Sequence, residues 1–267
     1  MYLGAISYIM KNHDTPSAMA ALRAIGFDSV EVWYDHPDGR CDYRKQDAQG
    51  AAETRKLIEG QSIVPRAYCI GQLTQKDVPN FQRIFEFAKG FGVEVIVGYA
   101  QPAVVPALDR FCQQYRMHYA IENVVPTLEY PLWSSRLILQ VLEGCSEYMG
   151  ANVDTGHFAL MALTPVVEAR ALAGRIKHVH FKDVQKDYYV GNYGVDPGGH
   201  LKVPFGSGKA GLAAVAEELK RQGYNRMVSV EHCIPYTGYY SPGEDDPACP
   251  ACLAQALAYC RGLGIGS

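Results

Sequence analysis

The 267-residue sequence has no apolar run long enough to cross a bilayer, so no membrane partner is expected. It has no lysine or arginine run and no basic stripe. With 25 Lys and Arg against 28 Asp and Glu, the formal net charge is −3, and nucleic acid is not an expected partner. Low-complexity tracts and inter-domain linkers are missing, which leaves one domain over residues 1–267 as the expectation. The opening "MYLGAISYIMKNHD" lacks a basic start and a small-residue cleavage site, so it is expected to be a first strand rather than a signal peptide. There are 8 cysteines, but they are scattered in a chain too large to need disulfide staples, and reduced thiols in a cytoplasmic protein are expected. The "CPAC" at 249–252 pairs Cys249 with Cys252 at CxxC spacing. No second pair follows at zinc-finger distance, and the motif opens what reads as the last helix, so no metal or redox role is assigned to it.

What the sequence does contain is an alternation. Short β-branched or aromatic runs take turns with longer amphipathic ones. The runs are "YLGAISYI", "SVEVWY", "VPRAYCI", "VEVIVGY", "HYAIENV", "GANVDT", "IKHVHF" and "RMVSVEH". Helical stretches are predicted near 16–25, 47–60, 78–91, 102–116, 134–144, 164–174, 210–222 and 247–263. Thr15-Pro16, Thr164-Pro165 and Asp246-Pro247 place a capping residue before a proline at the first helical position. Gly26, Gly60, Gly92, Gly174 and Gly223 stand just past helix ends, where a left-handed cap favours glycine. This pattern predicts an α/β protein, a (β/α)8 TIM barrel. A doubly wound open sheet would carry a glycine-rich loop after its first strand, and "ISYIMKNHD" contains no glycine.

In such a barrel, function sits at the C-terminal ends of the strands. Strand side chains alternate between the interior and the helix layer. In "YAIENV", "ANVDT", "KHVHFKD" and "MVSVEH" the inward positions are Ala120 and Glu122, then Asn152 and Asp154, then His178, His180 and Lys182, then Ser229 and Glu231. The last four strands therefore each end in one inward group able to hold a metal: Glu122, Asp154, His180 and Glu231. Three carboxylates at one mouth repel unless something neutralises them. Around a divalent cation, three carboxylates and a neutral imidazole leave about one net negative charge. Oxygen-rich ligands suit Mn²⁺, with Mg²⁺, Co²⁺ or Fe²⁺ as alternatives. A metal that takes about six ligands keeps two positions for adjacent substrate oxygens.

The order "AIEN", "VDTGH", "HVHFKD", "GYNRMVSVEH", with "AIGFDSVEVW" near the second strand, resembles the xylose isomerase-like TIM-barrel superfamily of the sugar phosphate isomerase/epimerase type. The resemblance runs over nearly the whole chain. It implies the same four ligands, a substrate-oxygen contact from His157, and Glu31 in the substrate pocket. Ketose epimerases of that superfamily carry an arginine six residues after the histidine ligand, whereas this chain has Lys186 there.

The chemistry implied is proton abstraction next to a metal-chelated carbonyl of a small sugar or hydroxy-ketone, through an enediolate. Glu122 and Glu231 would take and return the proton, and His157 would bond a substrate hydroxyl or assist the transfer. Lys182 can meet an anionic group or pair with a neighbouring acid, and Trp33 can stack on a sugar face or pack in the barrel. The alternative is a lyase on the same scaffold, dehydrating a keto-cyclitol or keto-sugar or cleaving a 3-keto-glycoside. An apurinic-site endonuclease would need a basic face, and a non-catalytic barrel would be expected to have lost a ligand carboxylate. The glycines of "PFGSGKAG" offer an anion cradle before the next helix. A homo-oligomer is left open.

Overall fold

The computed structural model describes residues 1–184, 203–231 and 249–266. Lys186, Cys233 and the Asp246–Pro247 boundary lie outside the described residues. The strands are β1 (Tyr2–Ile6), β2 (Ser29–Trp33), β3 (Val64–Leu73), β4 (Val95–Ala100), β5 (His118–Glu122), β6 (Met149–Asp154), β7 (Ile176–Phe181) and β8 (Met227–Val230). They are parallel, pair in chain order, and close where β1 meets β8. Around them run α1 (Thr15–Ile25), α2 (Ala48–Glu59), α3 (Phe81–Phe91), α4 (Val105–Tyr115), α5 (Ser135–Val141), α6 (Thr155–Leu160), α7 (Pro165–Ala171), α8 (Leu212–Arg221) and α9 (Cys249–Gly262). This is a (β/α)8 barrel. No described helix is long and apolar enough to cross a membrane.

Strand register carries the predicted alternation into three dimensions. Glu122 lies beside Asn152, Asp154 beside His180, and His180 beside Ser229. Ile121, Val153, Val179, Phe181, Val228 and Val230 fall on the opposite face and are buried in the apolar layer under the helices. That layer is dense with rings. On α3 the spacing of Phe81, Ile84, Phe85, Ala88 and Phe91 gives one buried face, and Phe87 and Phe91 pack against Tyr68 of β3. Each such ring contributes roughly 1.5–3 kcal/mol by leaving water.

Three local expectations are corrected. The cap of α1 is Asp14, whose carboxylate accepts the Ser17 N–H at 2.9 Å, while Thr15 turns its hydroxyl to Asp38. Gly60 stays right-handed at φ −61°, and Ser62 takes the positive φ before β3. The helix α6, absent from the predicted set, is a short helix that grows directly from the "VDTGH" turn. The described thiols Cys41, Cys69, Cys112, Cys145, Cys252 and Cys260 are free, as expected.

At the N-terminal mouth the Arg226 guanidinium donates to His118 Nε2 at 2.8 Å, so the imidazole must be neutral there. Burial first, then Arg226 and Lys177, push its pKa down from 6.5 to about 4. Because the folded value lies below the unfolded one, stability present above pH 6.5 is lost as pH falls toward 4. The apparent Tm is therefore expected to fall more steeply over that window in the wild type than in His118→Gln. Barrel closure itself depends on Gly4, since a Cβ there would meet the Ser29 carbonyl oxygen at 2.5 Å and the Met227 methyl. Gly4→Ala is expected to cost about 1–3 kcal/mol in urea unfolding, because backbone must move.

Candidate functional site

The last four strands are clamped at their C-terminal ends by two side chains that directly follow the acids and by one backbone bond. Asn123 donates from Nδ2 to the Asp154 carbonyl at 3.0 Å and accepts the Asp154 N–H on Oδ1 at 2.8 Å, locking β5 to β6. Thr155 links β6 to β7: its hydroxyl donates to the Lys182 carbonyl at 2.8 Å and accepts the Lys182 N–H at 2.9 Å. The Glu231 N–H reaches the Phe181 carbonyl at 3.0 Å and sets β8 against β7. These bonds hold Glu122, Asp154, His180 and Glu231 together, one ligand atom from each lying within 4.8 Å of all the others.

Asp154 divides its two oxygens. Oδ1 caps α6 by accepting the His157 N–H at 2.8 Å. Oδ2 is left to the mouth, where its near neighbour is the Lys182 ammonium at 2.9 Å. The cap also aims His157, whose Nδ1 lies 2.8 Å from the Asn123 carbonyl. A carbonyl can only accept, so Nδ1 carries the proton and Nε2 is the accepting nitrogen. That Nε2 lies 3.3 Å from Lys182 Nζ at the partly exposed mouth.

His180 is oriented from below. Glu31 is fully buried and takes the Nε2–H of His180 at 2.9 Å and of His178 at 2.9 Å. Nδ1 of His180 therefore faces the acids, 3.5 Å from Glu122 Oε1, 3.8 Å from Asp154 Oδ2 and 2.8 Å from Glu231 Oε2, and forms no hydrogen bond. This is the support a metal-binding imidazole usually has. Burial alone would strip the proton from His180, but Glu31 and Glu122 override it and raise its pKa well above the ordinary imidazole value. Burial likewise disfavours the Glu31 anion, and His180 and His178 override it, holding the carboxyl below the usual range. Lys182 completes the charge pattern. Its ammonium, on a buried side chain, lies 2.9 Å from Asp154 Oδ2 and 2.6 Å from Glu231 Oε1. Asp154 and Glu231 are kept ionised against burial, Asp154 mainly by His157 and Lys182, Glu231 mainly by Lys182 and His180.

The donor set fits a divalent cation. Three carboxylates converge on an imidazole nitrogen, and among the described residues two of the buried atoms, His180 Nδ1 and Asp154 Oδ2, meet only charged side chains and make no well-aligned hydrogen bond. Glu31, His178 and His180 form a second cluster with ligand spacing, but there the carboxylate and the imidazole N–H groups satisfy each other.

Glu31, expected in the substrate pocket, is fully buried, and its carboxylate is the acceptor for the N–H groups of His178 and His180. Trp33 is half-buried at the end of β2, edge-on to Tyr8 at 4.9 Å and to Tyr34 at 4.7 Å. The loop at 204–211 is no free anion cradle, because the N–H groups of Gly206 and Gly208 reach Asp183 Oδ2 at 2.9 and 3.0 Å, and that of Ala210 reaches Oδ1 at 3.2 Å. Asn123 and Thr155 were missed by the sequence reasoning. Each directly follows an inward acid, and that adjacency is the signal that could have found them. Tyr99 of β4 was also missed; burial raises its pKa well above the usual value, with Glu122 adding to it.

The family described as a xylose isomerase-like TIM barrel matches residues 19–248. No curated protein matches the chain by sequence. Among solved structures, D-psicose 3-epimerase in the presence of D-fructose is similar at 16% identity and TM-score 0.74, over 100% of both chains. The probable 3-DHS dehydratase AsbF of Bacillus anthracis, involved in petrobactin synthesis, is similar at 15% identity and TM-score 0.70, over 97% of this chain and 99% of that one. The IOLI protein with a binding zinc atom gives 17% identity and TM-score 0.71, over 99% and 98%. At these identities the likeness is one of fold.

The Asn123 clamp has a measurable cost. Asn123→Ala leaves the N–H and carbonyl of Asp154 without their side-chain partner in a buried position, and is expected to lower unfolding free energy by about 2–4 kcal/mol in urea titration.

Proposed function

The chain belongs to the xylose isomerase-like TIM-barrel family, and on that premise we propose that it is a divalent-metal-dependent isomerase or epimerase of a small sugar or hydroxy-ketone. One observation carries this: Glu122, Asp154, His180 and Glu231 converge within 4.8 Å on one point of the barrel mouth, three carboxylates around a buried imidazole nitrogen. These four residues would hold the metal, with Mn²⁺ the best match to the donors and Mg²⁺, Co²⁺ or Fe²⁺ acceptable. When bound, such an ion supplies a Lewis acid for two adjacent oxygens of a keto-sugar.

The chain's own groups provide the proton chemistry. Glu122 and Glu231 come from strands on different sides of β6 and β7, so they can act on different faces of one substrate carbon. Glu231 is the more exposed of the two, which favours it as the base. A carbon next to a carbonyl loses its proton to one carboxylate, and the other, entering the step as the carboxylic acid, delivers a second proton to the opposite face. His157, with its proton fixed on Nδ1, has Nε2 as its acceptor, which passes from the Lys182 ammonium to a substrate hydroxyl when one binds. Tyr99, its hydroxyl kept protonated, can donate from β4, the strand next to the Glu122 strand. Trp33 supplies an apolar edge to the same mouth.

The test is hydrogen exchange. Mn²⁺-loaded protein is incubated with a panel of ketoses in D₂O, and deuterium is read at the carbon next to the carbonyl. Exchange without loss of water is expected, and Glu231→Gln should slow it by about 10²–10⁴-fold. An absorbing enone would assign the site to a dehydratase instead. Exchange unchanged in Glu231→Gln would rule out the proposed base.

A further inference from the structure

The oxygen best placed for a metal is already held by a cation of the chain itself. Asp154 Oδ2, left over by the α6 cap, has Lys182 Nζ at 2.9 Å, and the same ammonium lies 2.6 Å from Glu231 Oε1. This placement is built into the backbone. The N–H and carbonyl of Lys182 are both tied to the Thr155 hydroxyl. Its stem then runs across Gly156, where an added Cβ would overlap the Lys182 Cβ, Cγ and Cδ. The glycine of "VDTGH" thus leaves a channel for the lysine stem, and the turn that presents Asp154 also delivers an ammonium to it.

We propose that Lys182 is the internal counter-ion of this site, a positioning residue that holds Asp154 and Glu231 together without metal and competes with metal for them. The proposal rests on the metal centre proposed above. Without an ammonium, Asp154 and Glu231 would face each other and Glu122 across a few ångströms at low dielectric, which is unfavourable. With it, any divalent cation that takes Asp154 Oδ2 must displace or approach a like charge. Having released that oxygen, the ammonium keeps Glu231 Oε1 and His157 Nε2 within reach. Lys182 therefore lowers metal affinity while it stabilises the metal-free protein.

The direction of this effect separates it from a packing defect, which would weaken binding. Chelator-treated wild type, Lys182→Met and Lys182→Arg are titrated with Mn²⁺ by calorimetry and melted with and without the metal. Lys182→Met is expected to bind Mn²⁺ at least about tenfold more tightly, with a lower metal-free Tm and a larger Mn²⁺-induced rise. Lys182→Arg, which keeps the charge, should not tighten binding. Mn²⁺ affinity equal or weaker in Lys182→Met, with the wild type binding normally, overturns the role of Lys182 and leaves the metal centre standing. No Mn²⁺ binding by either the wild type or Lys182→Met overturns both. If Lys182→Met does not fold without metal, the pair Lys182→Met/Glu231→Gln decides: recovered folding supports charge balance, and continued failure overturns it.

Discussion

The constraint on which the site depends is the repulsion between buried carboxylates. Glu122, Asp154 and Glu231 converge at one barrel mouth, and Glu31 adds a fourth acid beneath them. Such a set is stable only if positive charge is placed among the acids and if backbone holds them there. The chain supplies charge twice, from the His180 imidazole and from Lys182. It supplies the backbone restraint through Asn123, Thr155 and the Asp154 cap. Removing either kind of support would let the strand ends splay, since nothing in the ligand residues themselves favours their proximity.

The same economy of parts shapes the chemistry. Asp154 spends one oxygen on the helix and offers the other to the mouth. His157 is aimed by the cap of that helix and has its tautomer fixed by the carbonyl of Asn123. Glu31 determines which nitrogen of His180 faces the acids. Each reactive atom is thus selected by a hydrogen bond made on its far side. A proposed proton-transfer site built this way begins with its donors and acceptors assigned.

Much of this was legible in the sequence because strand alternation is a strict rule. Once the runs ending in Glu122, Asp154, His180 and Glu231 are read as barrel strands, period two places all four at the mouth. The eight-fold alternation itself survived errors at its edges: Thr15 for Asp14 as a cap, Gly60 for Ser62 as the left-handed residue. What the sequence could not show was pairing between distant residues. Glu31 precedes His180 by 149 positions, and no local pattern says that a strand-end acid will turn down to an imidazole rather than up to a ligand. Asn123 and Thr155 look like ordinary turn residues until the neighbouring strand is beside them. Lys182 was seen to point inward, but its two acidic partners lie on other strands.

The central claim is that one divalent cation binds where these four side chains meet. The most direct measurement is anomalous diffraction at the manganese edge from a crystal grown with Mn²⁺. A single peak is expected in ligand contact with Glu122, Asp154 Oδ2, His180 Nδ1 and Glu231, with His180 Nε2 still bonded to Glu31. A peak elsewhere in the molecule, or none under conditions that saturate a manganese-binding control, would contradict the account.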